Sequence, residues 1–407
     1  MGDLGVAPAG SLVLANAHIL DVSSGRLTHA DIEVRDGVIT RITGDREVVD
    51  PDLELIDLRN RVVMPGLVNM HTHLSLSLPG ERGRAIDALS PAGIALYMAD
   101  GARRTLHAGV TTVRCVAEVD HAELALRTAI DEGYAVGPRI RTAGQALAAR
   151  GGHGHGNGSV LECDDTEDFA RAVEGQVAAG ADLIKVMLSG GIAGEHEGID
   201  DAQLTTPQIA AVIETAHAAG RRVTAHVGPA SVIIEAVQLG LDCVEHGYTL
   251  TREAAELMRA RGTAYVPTLL VTRCGEFFDD CGVPEWMQRK SLDAAARHEE
   301  SFGHALAAGV TIMAGSDMPP FWPFEGTSAT VREIEHLADL GLGALGALRA
   351  ATLTPAEWLG MTDCIGAIEV GRRADLIAMT EDPSCDIRAL RGISLVMKDG
   401  VVVRDDR

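Results

Sequence analysis

The stretch VVMPGLVNMHTH, residues 62–73, is apolar at nearly every position and ends on two histidines separated by one residue. Read as a strand, it carries successive side chains to opposite faces, so His71 and His73, either side of Thr72, point the same way. Imidazole is the commonest protein ligand for zinc and related divalent ions, and two on one strand make a rigid half-site.

Downstream, seven more short apolar runs read as strands: TTVRCVA (111–117), RIRTAG (139–144), DLIKVML (182–188), RVTAHV (222–227), DCVEHG (242–247), AYVPTLL (264–270) and VTIMAGSD (310–317). Helix-length segments such as TPQIAAVIETAHAAG (206–220) and ASVIIEAVQLG (230–240) separate them. Eight such units predict a parallel sheet closed as a (β/α)8 TIM barrel over residues 62–362. The ends have a different texture. SLVLANAHILDV, ADIEVRD and GVITRITG at the front, and ADLIAMT and ISLVMKDGVVVRD at the back, alternate like half-buried strands, with Asp399-Gly400 as a hairpin signal. They predict a small, discontinuous β-sandwich domain made from residues 1–61 and 363–407.

Composition agrees with that division. A chain of 407 residues with 46% hydrophobic and 23% charged side chains has room for a barrel of about 250 residues and a smaller unit. A formal charge of −23 argues against nucleic acid or an anionic membrane surface as a partner, leaving a small-molecule substrate; it leaves open whether the chain is a homo-oligomer. The seven cysteines are scattered without a CxxC pair, which predicts reduced thiols and a cytoplasmic location. The opening MGDLGVAPAGSLVLANA carries Asp3 and lacks a basic leader, Val6 breaks the myristoylation pattern, and no apolar run reaches the length of a membrane span.

In a barrel the chemistry stands at the C-terminal ends of the strands, and polar residues interrupt the apolar runs there. His71 and His73 end the first strand, Lys185 lies within the fourth, His226 ends the fifth, His246 the sixth and Asp317 the eighth. Five histidine and aspartate donors are too many for one tetrahedral ion. An ammonium among Ile184, Val186 and Met187 is costly unless paired. Addition of carbon dioxide to the neutral amine, giving a carbamate able to bridge two cations, is one solution. Pairing of Lys185 with a carboxylate, and Asp317 as a helix cap, are the structural alternatives.

This set of residues resembles the amidohydrolase superfamily: HxH on the first strand, lysine on the fourth, histidines on the fifth and sixth, aspartate on the eighth. Within it the chain is similar to prolidase-like and imidazolonepropionase-like members, which carry a GGHG loop after the third strand and IK followed by SGG or TGG at the fourth. Those motifs are here Gly151-Gly152-His153-Gly154, Ile184-Lys185 and Ser189-Gly190-Gly191. The resemblance implies that His71, His73 and Asp317 bind the more buried of two divalent metals, that His226 and His246 bind the other, and that carboxylated Lys185 bridges them. Zinc is the usual occupant. It implies hydrolysis of an amide or peptide C–N bond by a hydroxide shared between the ions, with Asp317 as general base and acid. The alternatives are a one-metal cyclic-amide hydrolase or deaminase without need of Lys185, a carbamate or urea hydrolase, and a non-catalytic scaffold.

Substrate contacts are sought in His153, with His155 in the same GGHGHGNG loop, in Tyr248, and in Trp322, whose segment MPPFWPFEG concentrates aromatics in a chain with 3% of them and forms either an apolar wall against substrate or a hydrophobic anchor for its loop. Where some prolidase-like relatives have a tyrosine shortly after the fifth-strand histidine, this chain reads Val227-Gly228-Pro229. HEESFGH, residues 298–304, lacks HExxH spacing, so His298 and His304 are expected on a solvated helix.

Overall fold

The computed structural model describes residues 11–44 and 53–407. The opening MGDLGVAPAG, on which the leader and myristoylation readings rest, lies outside the described residues.

The N-terminal segment forms β1 (Leu12–Asp21), β2 (Arg26–Arg35), β3 (Val38–Thr43), β4 (Glu54–Asp57) and β5 (Val62–Pro65). The middle of the chain forms β6 (Leu67–Thr72), β7 (Val110–Cys115), β8 (Arg139–Thr142), β9 (Ala146–Ala149), β10 (Val160–Cys163), β11 (Ile184–Met187), β12 (Val223–Pro229), β13 (Cys243–Thr249) and β14 (Ala264–Val266). A two-stranded hairpin, β15 (Pro323–Phe324) and β16 (Thr327–Ser328), and the C-terminal β17 (Leu376–Met379), β18 (Leu395–Lys398) and β19 (Val401–Asp405) complete the strands.

Both chain ends enter one eight-stranded sheet in the order β19-β18-β17-β5-β1-β2-β3, with β4 beside β1. The sheet folds back on itself: Ile39 of β3 donates to Arg372 O and Gly371 donates to Ile39 O, next to β17 at the other side of the sheet. The alternating burial of β2, from Ala30 to Val34, gives it one apolar face. That face joins Leu14, Ile32, Val34 and Ile39 to Leu376, Leu395 and Met397 in a core of its own.

The decisive stretch proves to be two strands. Val62–Pro65 pairs antiparallel with β17 in the terminal sheet, and Leu67–Thr72 pairs parallel with β7. The break is at Gly66, where a Cβ would stand 2.3 Å from the Thr111 side chain, so the chain can cross between sheets only without one.

The central strands are parallel, in two sets, β6-β7-β8 and β10-β9-β11-β12-β13-β14, with β9 and β10 an additional pair not foreseen in the GGHG region. β6, β7 and β12 are buried at every position, as strands covered on both faces must be. The architecture is therefore mixed α/β. Residues 310–317, expected as an eighth strand, form no strand but a single bridge from Ile312 to Tyr265. Their backbone still joins the sheet edges: Met313 donates to Tyr265 O, Met70 to Ala314 O and Asp317 to His71 O. Gly315 lies so close to His71 that a Cβ would meet it at 2.7 Å, so only glycine fits at this approach of the two chains. No helix among the described residues is long and apolar enough to cross a membrane.

Candidate metal centre

Five of the predicted residues line one cavity of about 320 Å³ together with Asp317, at the C-terminal ends of the parallel strands: His71, His73, Lys185, His226 and His246. His71 Nε2 and His73 Nε2 both lie 3.0 Å from the same oxygen, Asp317 Oδ1. The other carboxylate oxygen lies 3.9 Å from His246 Nδ1. Donor atoms of His71, His246 and Asp317 fall within 4.8 Å of one another. The rings of His226 and His246 are 4.5 Å apart, which places the fifth- and sixth-strand histidines side by side.

Protonation suits ligation. Burial pushes His226 and His246 well below the ordinary imidazole range, helped by His153 and Lys185 in the first case and by the mutual repulsion of the two rings in the second. Neutral imidazoles are the ligating form. Burial would raise the Asp317 carboxyl, but His71 and His73 outweigh it and hold it well below the usual carboxylate range. Lys185 is buried, and no carboxylate reaches ion-pairing distance of its ammonium among the described residues. Burial, only partly offset by Glu245 and Asp317, lowers its pKa from 10.5 to about 8. Four imidazoles, those of His226 and His246 held neutral, with one ionised carboxylate and an unpaired amine, fit divalent cations; burial would lower the pKa of His73 but Asp317 raises it, so a cation there would have to displace that proton.

The side chains that hold these donors were absent from the sequence reading. Glu245, wholly buried one residue before His246, accepts from His71 Nδ1 at 2.7 Å and from Thr224, and pairs with the buried Arg114 guanidinium. Burial would raise the Glu245 carboxyl; Arg114 and His71 bring it down instead, so it stays an anion. It thereby fixes His71 as the tautomer with Nε2 free towards Asp317. The signal was present in the sequence as two charges, Arg114 and Glu245, inside apolar strands. His73 Nδ1 is held by Ala117 O at 2.9 Å, and His246 Nδ1 by Thr268 Oγ1 at 2.7 Å. Replacing Glu245 with Gln should lower thermal stability, because the buried Arg114 guanidinium loses its counter-ion, and in the folded protein should weaken metal retention about 10- to 100-fold, the usual effect of losing a ligand's hydrogen-bond partner. Competition with a zinc chelator checks this; unchanged zinc affinity would refute the role given to Glu245.

His153 stacks on His226 with ring centroids 4.2 Å apart. Its Nδ1 bonds the Glu197 carboxylate, which also accepts from Gly191 N at 3.1 Å and Gln203 Nε2 at 2.7 Å. Gly191 must be glycine, because a Cβ there would come within 2.4 Å of His153 and 2.8 Å of His226. His155 is exposed at the rim and bonds Glu162 at 2.6 Å. Tyr248 lines the cavity and lies parallel to the His246 ring at 5.2 Å.

Two expectations change. Trp322 does not line the cavity; it is buried against Phe277, with centroids 5.4 Å apart, and anchors its loop. The apolar wall is made instead by Ile192, Val271, Phe278, Met287 and Met318, the layer in front of it. His298 is not on a solvated face. It is fully buried beneath His246, whereas His304 remains partly exposed beside Glu300.

The Amidohydrolase family matches residues 62–403. Ochratoxinase of Aspergillus niger is 28% identical over 409 residues, covering 92% of this chain and 82% of the relative. Its crystal structure superposes with a TM-score of 0.84, at 26% identity over 97% of this chain and 96% of that one. Imidazolonepropionase of Symbiobacterium thermophilum is 26% identical over 400 residues, covering 90% of this chain and 87% of the relative. A prolidase crystallised with N-methylphosphonate-L-proline is similar with a TM-score of 0.88, at 29% identity over 97% of this chain and 99% of that one.

Proposed function

The chain belongs to the amidohydrolase family and is a hydrolase acting on carbon–nitrogen bonds, and from that premise we propose that it cleaves the amide bond of a small molecule at a centre for two divalent ions, with zinc as the first candidate. The observation that carries this reading is the convergence of His71 and His73 through their Nε2 atoms on one oxygen of Asp317. In it these three residues would hold one ion, His226 and His246 would hold the other, and Lys185, as a carbamate, would supply a ligand to both. We read the two parallel sheets as arcs of one (β/α)8 barrel; the backbone bonds of residues 311–317 to Tyr265 and Met70 support closure.

When bound, such ions polarise a carbonyl and bring the pKa of a water close to neutrality. The chain's own part is proton handling and positioning. Asp317, ionised and facing both His71 and His73, takes the proton of the attacking water and returns it to the departing amine. His153, its Nδ1–H held by the Glu197 carboxylate, stands in the cavity lining, where its ring can contact the substrate.

A cavity of about 320 Å³ is at the small end of ligand pockets. Its apolar wall suits one bulky hydrocarbon group of the substrate. Arg84 stands in the lining without an ion pair among the described residues, and it offers a carboxylate the partner that Val227-Gly228-Pro229 does not. The reading is therefore an N-acyl amino acid or dipeptide with an apolar side chain. Zinc-loaded protein is to be screened by mass spectrometry against N-acyl amino acids, dipeptides, carbamates, ureas and lactams. Release of a free amine and a carboxylate from the first two classes is expected; activity confined to ring opening or deamination, undiminished with one metal, would overturn the reading. Phe278→Ala should raise KM for bulky apolar substrates about tenfold more than for small ones, the scale of losing apolar contact in a pocket. Trp322→Ala should affect both classes alike. The reverse pattern would restore Trp322 as the wall.

A further inference from the structure

His246 has a backbone φ of 66°, the left-handed region, and Gly247 follows at 59°. For a residue with a side chain this conformation is unfavourable and persists only where its surroundings impose it. The carbonyl of His246 supplies the restraint. It accepts from Tyr265 Oη at 2.6 Å and from His298 Nε2 at 3.0 Å, two buried donors that reach it from different elements.

His298 lies on the long helix Glu285–Ala308 that follows the seventh-strand region. A carbonyl can only accept, so His298 Nε2 carries the hydrogen. Its Nδ1 lies 3.1 Å from Thr272 Oγ1, whose hydroxyl also lies 3.1 Å from Leu269 O. The edge of the Tyr248 ring meets the His298 ring at 5.0 Å, and Tyr248 in turn lies flat on the His246 imidazole. His298 therefore touches His246 twice, at its carbonyl and through the tyrosine stacked on its ring. The same helix also reaches the loop that carries Glu197: Lys290 Nζ donates to Gly194 O and Glu197 O, and Arg297 pairs with Asp200 at 2.9 Å.

We propose that His298 is a positioning residue, which holds the His246 peptide in its left-handed conformation and so aims the His246 imidazole at the metal centre. The inference deepens the reading above and rests on it for the word metal; the conformation of His246 can be tested without it.

The test uses two substitutions. His298→Leu fills the buried space but cannot donate. His298→Gln keeps an N–H donor at about the reach of Nε2. For His298→Leu we expect zinc affinity at the weaker of the two bound ions to fall about 10- to 100-fold, kcat to fall with it while KM changes little, and the metal-free crystal structure to show the 246–247 peptide turned away from Tyr265. His298→Gln should restore the peptide orientation, the zinc affinity and most of kcat. The proposal is overturned if metal-free His298→Leu keeps the His246 φ and carbonyl direction, or if both variants lose zinc equally. If wild-type protein binds no zinc while the peptide still turns in His298→Leu, the positioning role stands and the metal reading is what fails.

Discussion

Replacing Asp317 with Asn should reduce kcat by about two to four orders of magnitude, the span attributed to a positioned general base, while most bound metal is retained. The choice of Asn isolates the chemistry. Asp317 sits at a φ of 55°, where Asn is tolerated and most residues are strained, so the backbone has no reason to move. The amide oxygen can replace Oδ1 beside His71 and His73, keeping the ligand, whereas the proton-accepting carboxylate is gone. In the wild type, the ionised form is the active one, and the imidazoles place the carboxyl well below its ordinary 3.8. Loss of the base by protonation should therefore begin only as pH falls below that value, and no acid limb of kcat near pH 5 to 7 should belong to Asp317. Steady-state kinetics with zinc content measured on the same samples decides the matter. Near-normal turnover in Asp317→Asn with metal in place would remove Asp317 as the base.

How much of this was legible beforehand follows from where the information resides. The donors could be read because each is a polar residue in an otherwise apolar strand, and the period of two put His71 and His73 on one side. The same signal marked Arg114 and Glu245, yet their meaning depends on a contact across 131 positions that periodicity does not encode. His298 was misread because HEESFGH looks polar; its burial comes from the packing of the whole helix under β13, not from its neighbours in sequence. Trp322 was misplaced by one layer. An aromatic cluster predicts burial well, but which member faces the cavity is fixed by the approach of Phe277 and Phe278 on the short helix Gly275–Asp280. The eighth run is present only as scattered backbone bonds to Tyr265 and Met70 and one bridge, a degree of regularity that residue types alone do not reveal.

Lys185 gives the second large effect. Its ammonium is enclosed without a counter-ion among the described residues, so in the charged form it opposes the fold; the amine is correspondingly acidic, with a pKa of about 8 against an ordinary 10.5. Near neutral pH a useful fraction is the free amine, the form that adds carbon dioxide, and the resulting anion would relieve the repulsion among Lys185, Arg114 and bound cations. Lys185→Met keeps the bulk and removes the nitrogen. It should leave thermal stability unchanged or raised, lower zinc content from two ions to about one, and cut kcat by about two to three orders of magnitude, the scale of losing one key electrostatic group. Lys185→Ala should lose as much activity but leave a hole into which acetate or formate can bring two oxygens in place of the carbamate. Millimolar acetate should then restore part of kcat and the second zinc to Lys185→Ala and nothing to Lys185→Met. If Lys185→Met holds two zinc ions and turns over normally, or if wild-type activity is indifferent to exhaustive removal and return of bicarbonate during zinc loading, the lysine is a buried spectator and the bridge must be sought elsewhere.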